Sequence, residues 1–354
     1  MTSTLKGLLG FNTSKNSCSI SSEKSPRRAL PANWYTSQAL YELERRSIFA
    51  RNWLLTTHSL RVSKPGNWLR YETAGWYFVL FRDTNNAIKA FHEVSAHSTE
   101  DWIDQPEEFL AQSYANSSPV HVHIDLNGFI WVNLDSNEEP EIAWERDFKG
   151  IDLQPRFSDF DWNNYVFDHT WEMDGAYNWK VLADNYNECY HCATAHPDVQ
   201  SVADLNSYSV DTVDGSIIHL PASTPEQIKA GLKVCSTYYF PNASMTVTPH
   251  FFFMQRFTPT SPKTCQMRYE VFRNMHSSDA DFNLVSDMFK RIMNEDKHLC
   301  IEAQKNLSSG TFVNGLLHPE MEKGPLYFQS VVRNIVKEHH RREKEAGHEI
   351  WAVQ

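Results

Sequence analysis

Residues 188–198 read ECYHCATAHPD and bring Cys189, His191, Cys192 and His196 together beside the carboxylate of Glu188. The segment from Trp179, taken as a helix at about 100° per residue, puts Trp179, Leu182, Tyr186 and Cys189 on an apolar stripe. Asp184, Glu188 and His191 form a second stripe that is wholly ionisable. Cys189 therefore reads as core packing. On an unbroken helix His196 would point about 140° away from His191. Pro197 resolves this, because a residue before proline leaves the α region; the helix is expected to end near Thr194 or Ala195, letting His196 swing back.

Several chemistries compete for these side chains. A closed zinc site draws ligands from two separated pairs, whereas His191 and Cys192 are adjacent. Cys192 as nucleophile with His196 as base lacks an oxyanion-hole pattern and a third orienting group. Two imidazoles and one carboxylate make the facial triad of non-haem Fe(II), which leaves positions open for O2 or substrate. Asp296 in NEDKHLC is the chosen carboxylate, with Glu295 as its neighbour and spare. On residue types alone, histidines satisfied in a polar core stand against this reading on even terms.

The elements that must hold these groups follow from composition and periodicity. A chain of 354 residues with 41% hydrophobic and 13% aromatic residues can bury two moderate cores. The formal net charge of -11 excludes a basic nucleic-acid or anionic-membrane surface. Cysteines at 18, 189, 192, 235, 265 and 300 show no framework spacing, and no segment reads as a membrane span, so a reducing cytoplasmic setting is expected. Residues 1–28 read as a flexible arm, and 29–58 as a helical segment packing on the larger domain, with Leu40, Leu43, Ile48, Phe49 and Trp53 inward. Residues 59–140 read as a small antiparallel β domain, with 98–118 a loop holding at most a helical turn. Residues 141–354 form the second domain: a helix over 176–192, long strands in STYYFPNASMTVTPHFFFMQRF and KTCQMRYEVFRNM, and a closing helix over 279–306. The tail 339–349 reads as a solvated helix face. Sheets and long helices without βαβ spacing give an α+β fold.

NWKVLADNYNECYHCATAHPD resembles the iron-site helix of Rieske non-haem iron oxygenase α subunits. LPANWYTSQALYELERRSIFARNWLL, HVHIDLNGFIWVNL and EDKHLCIEAQKNLSSG extend the resemblance over nearly the whole chain, toward fungal members similar to choline monooxygenase. The resemblance implies a helix-grip catalytic domain in which His191, His196 and Asp296 hold Fe(II). It also places Glu188 or Asp184 on the route by which electrons arrive from a neighbouring subunit of a trimer. The family's small domain carries C-x-H and C-x-x-H for a [2Fe-2S] cluster. Here the first pair reads Ser95-Ala96-His97, no cysteine lies between Cys18 and Cys189, and the second pair is absent. The chain is thus expected to carry Fe(II) without the cluster, His97 being a structural or surface residue and His121 and His123 ordinary strand residues.

Hydroxylation with O2 needs two electrons that this chain does not store. They are expected from an intact Rieske paralogue in a homo- or hetero-trimer, or from a reductase. The alternatives are a redox-neutral iron-dependent isomerase, lyase or cyclase, and a non-catalytic partner subunit. The substrate is expected to be a small organic molecule in an aromatic pocket, with Tyr238, Phe251, Phe253 and Phe257 as lining candidates and core as the preferred reading for most of them.

Overall fold

A computed structural model describes residues 27–93, 107–201, 203–229 and 232–353, leaving aside the side chains of 107–111 and 201. Ser95, Ala96 and His97, and most of the 1–28 arm, lie outside the described residues.

The chain enters through helix α1 (Gln38–Glu44), capped by Ser37 Oγ accepting from the Leu40 amide, and continues as one wide π turn over Arg45–Phe49. The helical segment expected over 29–58 stops there, and Leu54–His58 is strand β1. The reason is a change of period: Trp53 and Leu55 enter one hydrophobic cluster, while Leu54 between them enters another. Apolar residues at 48, 49 and 53 fit either periodicity, so the pattern alone did not separate helix from strand.

Strands β2 (Trp68–Thr73), β3 (Trp76–Arg82) and β4 (Ile88–His92) follow as read. Helix α2 (Glu107–Asn116) replaces the expected loop across half of 98–118. Strands β5 (Pro119–Ile124) and β6 (Phe129–Asn133) complete a six-stranded antiparallel sheet in the order β1-β6-β5-β4-β3-β2. The β5–β6 turn is held by Asp125 Oδ1, which accepts from the amides of Asn127 and Phe129. His121 and His123 are strand residues of β5, His123 stacking on Trp144 at 3.9 Å.

After the short helix α3 (Trp144–Phe148) comes a seven-stranded antiparallel sheet in the order β7-β13-β12-β11-β10-β9-β8. Its strands are β7 (Tyr165–Gly175), β8 (Asp204–Val213), β9 (Ser216–Ala222), β10 (Cys235–Tyr239), β11 (Ala243–Val247), β12 (Phe251–Ser261) and β13 (Thr264–Asn274). The run STYYFPNASMTVTPHFFFMQRF is three strands rather than one, turning at Pro241-Asn242 and at Pro249-His250, where proline supplies no ladder donor. Between β7 and β8 lie helices α4 (Trp179–Tyr186) and α5 (Cys192–Ala195); α6 (Pro225–Lys229) follows β9. Helices α7 (Asp279–Ser308) and α8 (Lys323–Ala346) close the chain. This is the α+β architecture expected: two antiparallel sheets sharing a core, with one long helix gripped against the larger.

The small sheet is fixed to the larger one through Glu270 of β13, which accepts from Thr57 Oγ1 at 2.5 Å and Tyr71 Oη at 3.1 Å. The segment 339–349 is solvated as expected on one face, with Arg341, Lys344 and Glu345 exposed, but the opposite face is not: His339, His340 and Glu343 are buried, and Arg46 donates to Glu343 at 2.7 Å. Mixed charge in the sequence hid an ion pair made with a residue almost 300 positions away.

Candidate metal centre

The residues NWK at the head of α4 hold the site-bearing helix in place. Asn178 caps it by accepting from the Lys180 amide at 2.9 Å. Lys180 Nζ meets Glu44 of α1 at 2.6 Å with both side chains fully buried, and Trp179 Nε1 donates to the same carboxylate at 3.0 Å. Gly324 of α8 passes the end of α4 so closely that an added Cβ would lie 2.1 Å from the Asn187 carbonyl oxygen.

The helix expected over 176–192 ends at Tyr186. A short turn carries Glu188 and His191, and His196 caps the four-residue helix α5 just before Pro197. The outcome is the approach that the proline was expected to allow. His191 Nε2 and His196 Nε2 lie 3.2 Å apart, and Asp296 Oδ1 from α7 lies 3.4 Å from the first and 3.0 Å from the second. Ligand atoms about 2.1 Å from one ion are about 3.0 Å apart at right angles and about 3.4 Å apart at tetrahedral angles. The three separations fall in that span.

Hydrogen bonding behind the rings gives the same answer. His191 Nδ1 contacts Glu188 Oε1, and His196 Nδ1 lies 2.8 Å from Glu295 Oε2. A carboxylate there holds the proton on Nδ1, so each ring turns a bare Nε2 lone pair toward the other and toward Asp296. Three acceptors converging on one point require a cation or extra protons. Burial opposes charge on His191, but hydrogen bonds to Asp296 and Glu188 outweigh it and raise the imidazole to about 9. His196 is raised in the same way, burial being overcome chiefly by Asp296, while burial of Asp296 is outweighed by the two imidazoles, which lower its carboxyl. The donor set fits Fe(II).

Glu295 stands behind His196 rather than in the triangle, and Asn185, which the sequence did not single out, donates to Asp296 Oδ1 at 2.7 Å. Outer partners of this kind tune affinity. Glu295→Ala is expected to weaken iron binding by about 10- to 100-fold, read by competition with a chelator.

The cysteines depart from expectation. Cys189 is half-buried and bonded to Cys192 in a disulfide, so it is not simple core packing. Cys192 Sγ is 3.9 Å from His191 Nε2 and close enough to both rings to count as a donor by distance. Its sulfur is committed to Cys189, which removes both the thiolate ligand and the nucleophile. A C-x-x-C spacing was the available signal, overshadowed by the histidines inside and beside it.

Asp184 and Glu188 separate in space. Glu188 touches His191, whereas Asp184 turns away and accepts from Tyr35 Oη at 2.6 Å and Gln329 Nε2 at 2.9 Å. Burial raises the Asp184 carboxyl to about 7 in spite of those donors. A cavity of about 130 Å³ opens beside the histidines, lined by both of them and by Asp296, Tyr186, Tyr208 and His219. Of the four aromatic candidates only Phe253 lines it, while Tyr238, Phe251 and Phe257 are buried in the core. A second cavity of about 370 Å³ shares Asn185 and Glu188 with the first and is lined by Asp184, Leu299 and Phe312.

A small antiparallel sheet joined to a larger one that grips the carboxylate-bearing helix is the architecture of Rieske oxygenase α subunits. A quaternary ammonium Rieske monooxygenase, CntA, solved with L-carnitine, superposes with a TM-score of 0.71 at 19% identity, covering 88% of this chain and 99% of that one. Naphthalene 1,2-dioxygenase with indole bound gives 0.64 at 15% identity over 88% and 93%. Residues 162–233 and 222–338 match the family described as ring hydroxylating alpha subunit (catalytic domain), and the chain belongs to that family. The carnitine monooxygenase oxygenase subunit of Acinetobacter pittii is 22% identical over 88% of this chain and 94% of its own length. The chloroplastic choline monooxygenase of Atriplex hortensis is 22% identical over 87% of this chain and 78% of its own length. These relatives and neighbours are monooxygenases and dioxygenases, hence oxidoreductases.

Proposed function

We propose that the chain is a mononuclear Fe(II) oxidoreductase that uses O2 on a small organic molecule and draws its electrons from outside itself. The observation that carries this is the convergence of His191 Nε2, His196 Nε2 and Asp296 Oδ1, with both Nδ1 atoms backed by carboxylates. In this reading those three residues hold the iron. When bound, it supplies a centre with open positions at which O2 can be reduced beside the substrate. Glu188 and Glu295 keep the ring protons on Nδ1 and fix the ring planes, Asn185 orients Asp296, and the apolar walls of the adjoining cavity exclude water.

No cysteine occurs between Cys18 and Cys189, so the small sheet domain offers no pair of thiolates for a [2Fe-2S] cluster. Electrons then come from an intact Rieske paralogue in a mixed trimer, or from a reductase. The larger cavity supports an entry there, because Asp184 and Glu188 line it beside the exposed Leu299 and Phe312. Asp184 is the positioning residue of that route and Glu188 its last group before His191.

The purified chain, reconstituted anaerobically, is expected to hold about one iron, with no visible iron-sulfur absorption and no acid-labile sulfide. Sulfide in stoichiometric amount overturns the cluster-free reading. O2 uptake coupled to substrate loss only when a reductant or a cluster-bearing paralogue is supplied supports the oxidase chemistry. The missing cluster ligands also favour a second reading, redox-neutral isomerase, lyase or cyclase chemistry, and substrate conversion without O2 uptake selects it.

A further inference from the structure

Among the described residues that line the 130 Å³ cavity, one carries a buried polar atom without a partner. His219 on β9 is 6% exposed, and its Nε2 has no hydrogen bond among the described residues. Its Nδ1 lies 2.7 Å from Tyr208 Oη of the neighbouring β8. Burial holds the Tyr208 phenol protonated and keeps His219 neutral, pushing the imidazole down to about 3. Tyr208 Oη has no other hydrogen-bond acceptor among the described residues, so its proton is assigned to the Nδ1 contact, which leaves the ring's own proton on Nε2 as a donor. Buried donors of this kind are normally matched.

The rest of the wall says what kind of molecule matches it. Leu205, Val234, Phe253, Phe289, Ile292 and Met293 are apolar. Ser236 and Thr246 satisfy each other at 2.8 Å. Glu188 and Asp296, at the metal end, are taken up by the imidazoles. No lysine or arginine is among the described residues that line the cavity, so away from the metal end a carboxylate entering it would lose its water and meet no cationic side chain.

We propose that His219, aligned by Tyr208, is the specificity-determining residue of this pocket, and that the substrate is an apolar molecule bearing one uncharged oxygen acceptor, a carbonyl, ether or hydroxyl. This deepens the reading of the cavity as the place where substrate meets iron. It separates the chain from a protein that acts on carnitine, whose carboxylate has no counterpart here.

The test uses three probes with one phenyl body: acetophenone, its alkene isostere α-methylstyrene, and benzoate. Each is equilibrated with anaerobic protein, iron-loaded and metal-free, and dissociation constants are compared; the benzoate comparison is read on the metal-free protein, where no iron can ligate the carboxylate. Wild-type protein is expected to bind acetophenone and to bind benzoate at least about ten-fold more weakly. His219→Phe is expected to lower the ketone preference, the alkene-to-ketone ratio of dissociation constants, by about ten-fold or more, and His219→Gln, which restores an N–H donor, to recover most of it. Tyr208→Phe, which frees the ring to change tautomer, falls between. An unchanged ratio in His219→Phe, benzoate binding as well as acetophenone, or no binding of any probe to wild type overturns the proposal. The wild-type comparison of ketone and carboxylate needs no variant to fold. Iron content is measured in parallel: wild-type protein that shows the ketone preference yet takes up no iron on reconstitution refutes the iron reading and leaves this one standing, whereas iron uptake with no ketone preference refutes this one alone.

Discussion

His191→Ala protein is expected to leave anaerobic reconstitution with essentially no iron, while Cys192→Ala protein retains close to the wild-type content. On the proposed reading, losing one of three ligands takes away a bond to the metal, and it leaves Glu188, which held the His191 ring, without its partner. Cys192 lies nearly as close, yet its sulfur belongs to the disulfide with Cys189, so its removal takes no donor from the ion. Total iron by colorimetric chelation decides the matter. Iron-dependent activity should fall by about a thousand-fold or more in the histidine variant, the scale on which a central catalytic element is lost. Retention of iron in His191→Ala together with its loss in Cys192→Ala would return the site to a thiolate reading.

Lys180→Met is expected to cost about 3–5 kcal/mol of stability, enough to leave much of the protein unfolded at growth temperature. The ammonium group and Glu44 are both 0% exposed and 2.6 Å apart, so removing the cation strands a carboxylate in the core with, among the described residues, only the indole N–H of Trp179 to answer it. Adding Glu44→Gln should recover a large part of the loss, because the uncompensated charge is then gone. Denaturant unfolding of the two variants reads both effects. If the single variant unfolds like wild type, Lys180 is not what anchors α4 to α1.

The approach of the two histidines and the α+β class were readable from short-range rules, a proline that ends a helix and alternation in strands, whereas Asp296 was singled out among many helical acids partly by the family resemblance. What escaped depended on partners far along the chain. Glu343 looked solvated because its neighbours are charged, while its partner Arg46 lies on the opposite end of the sequence. Strand β1 looked helical because its pairing strand β6 is more than 70 residues on. His219 gave no signal at all: a single histidine between apolar residues in β9 means nothing until Tyr208 and the cavity wall surround it. The disulfide was visible as a spacing but not as a bond.

Asp296 comes to His196 from a point exactly one hundred positions later in the chain, after all seven strands of the larger sheet have been laid down. If these three groups hold the ion as proposed, a polypeptide that stops short of α7 displays both imidazoles without the third ligand, and metal capture waits until synthesis is almost finished.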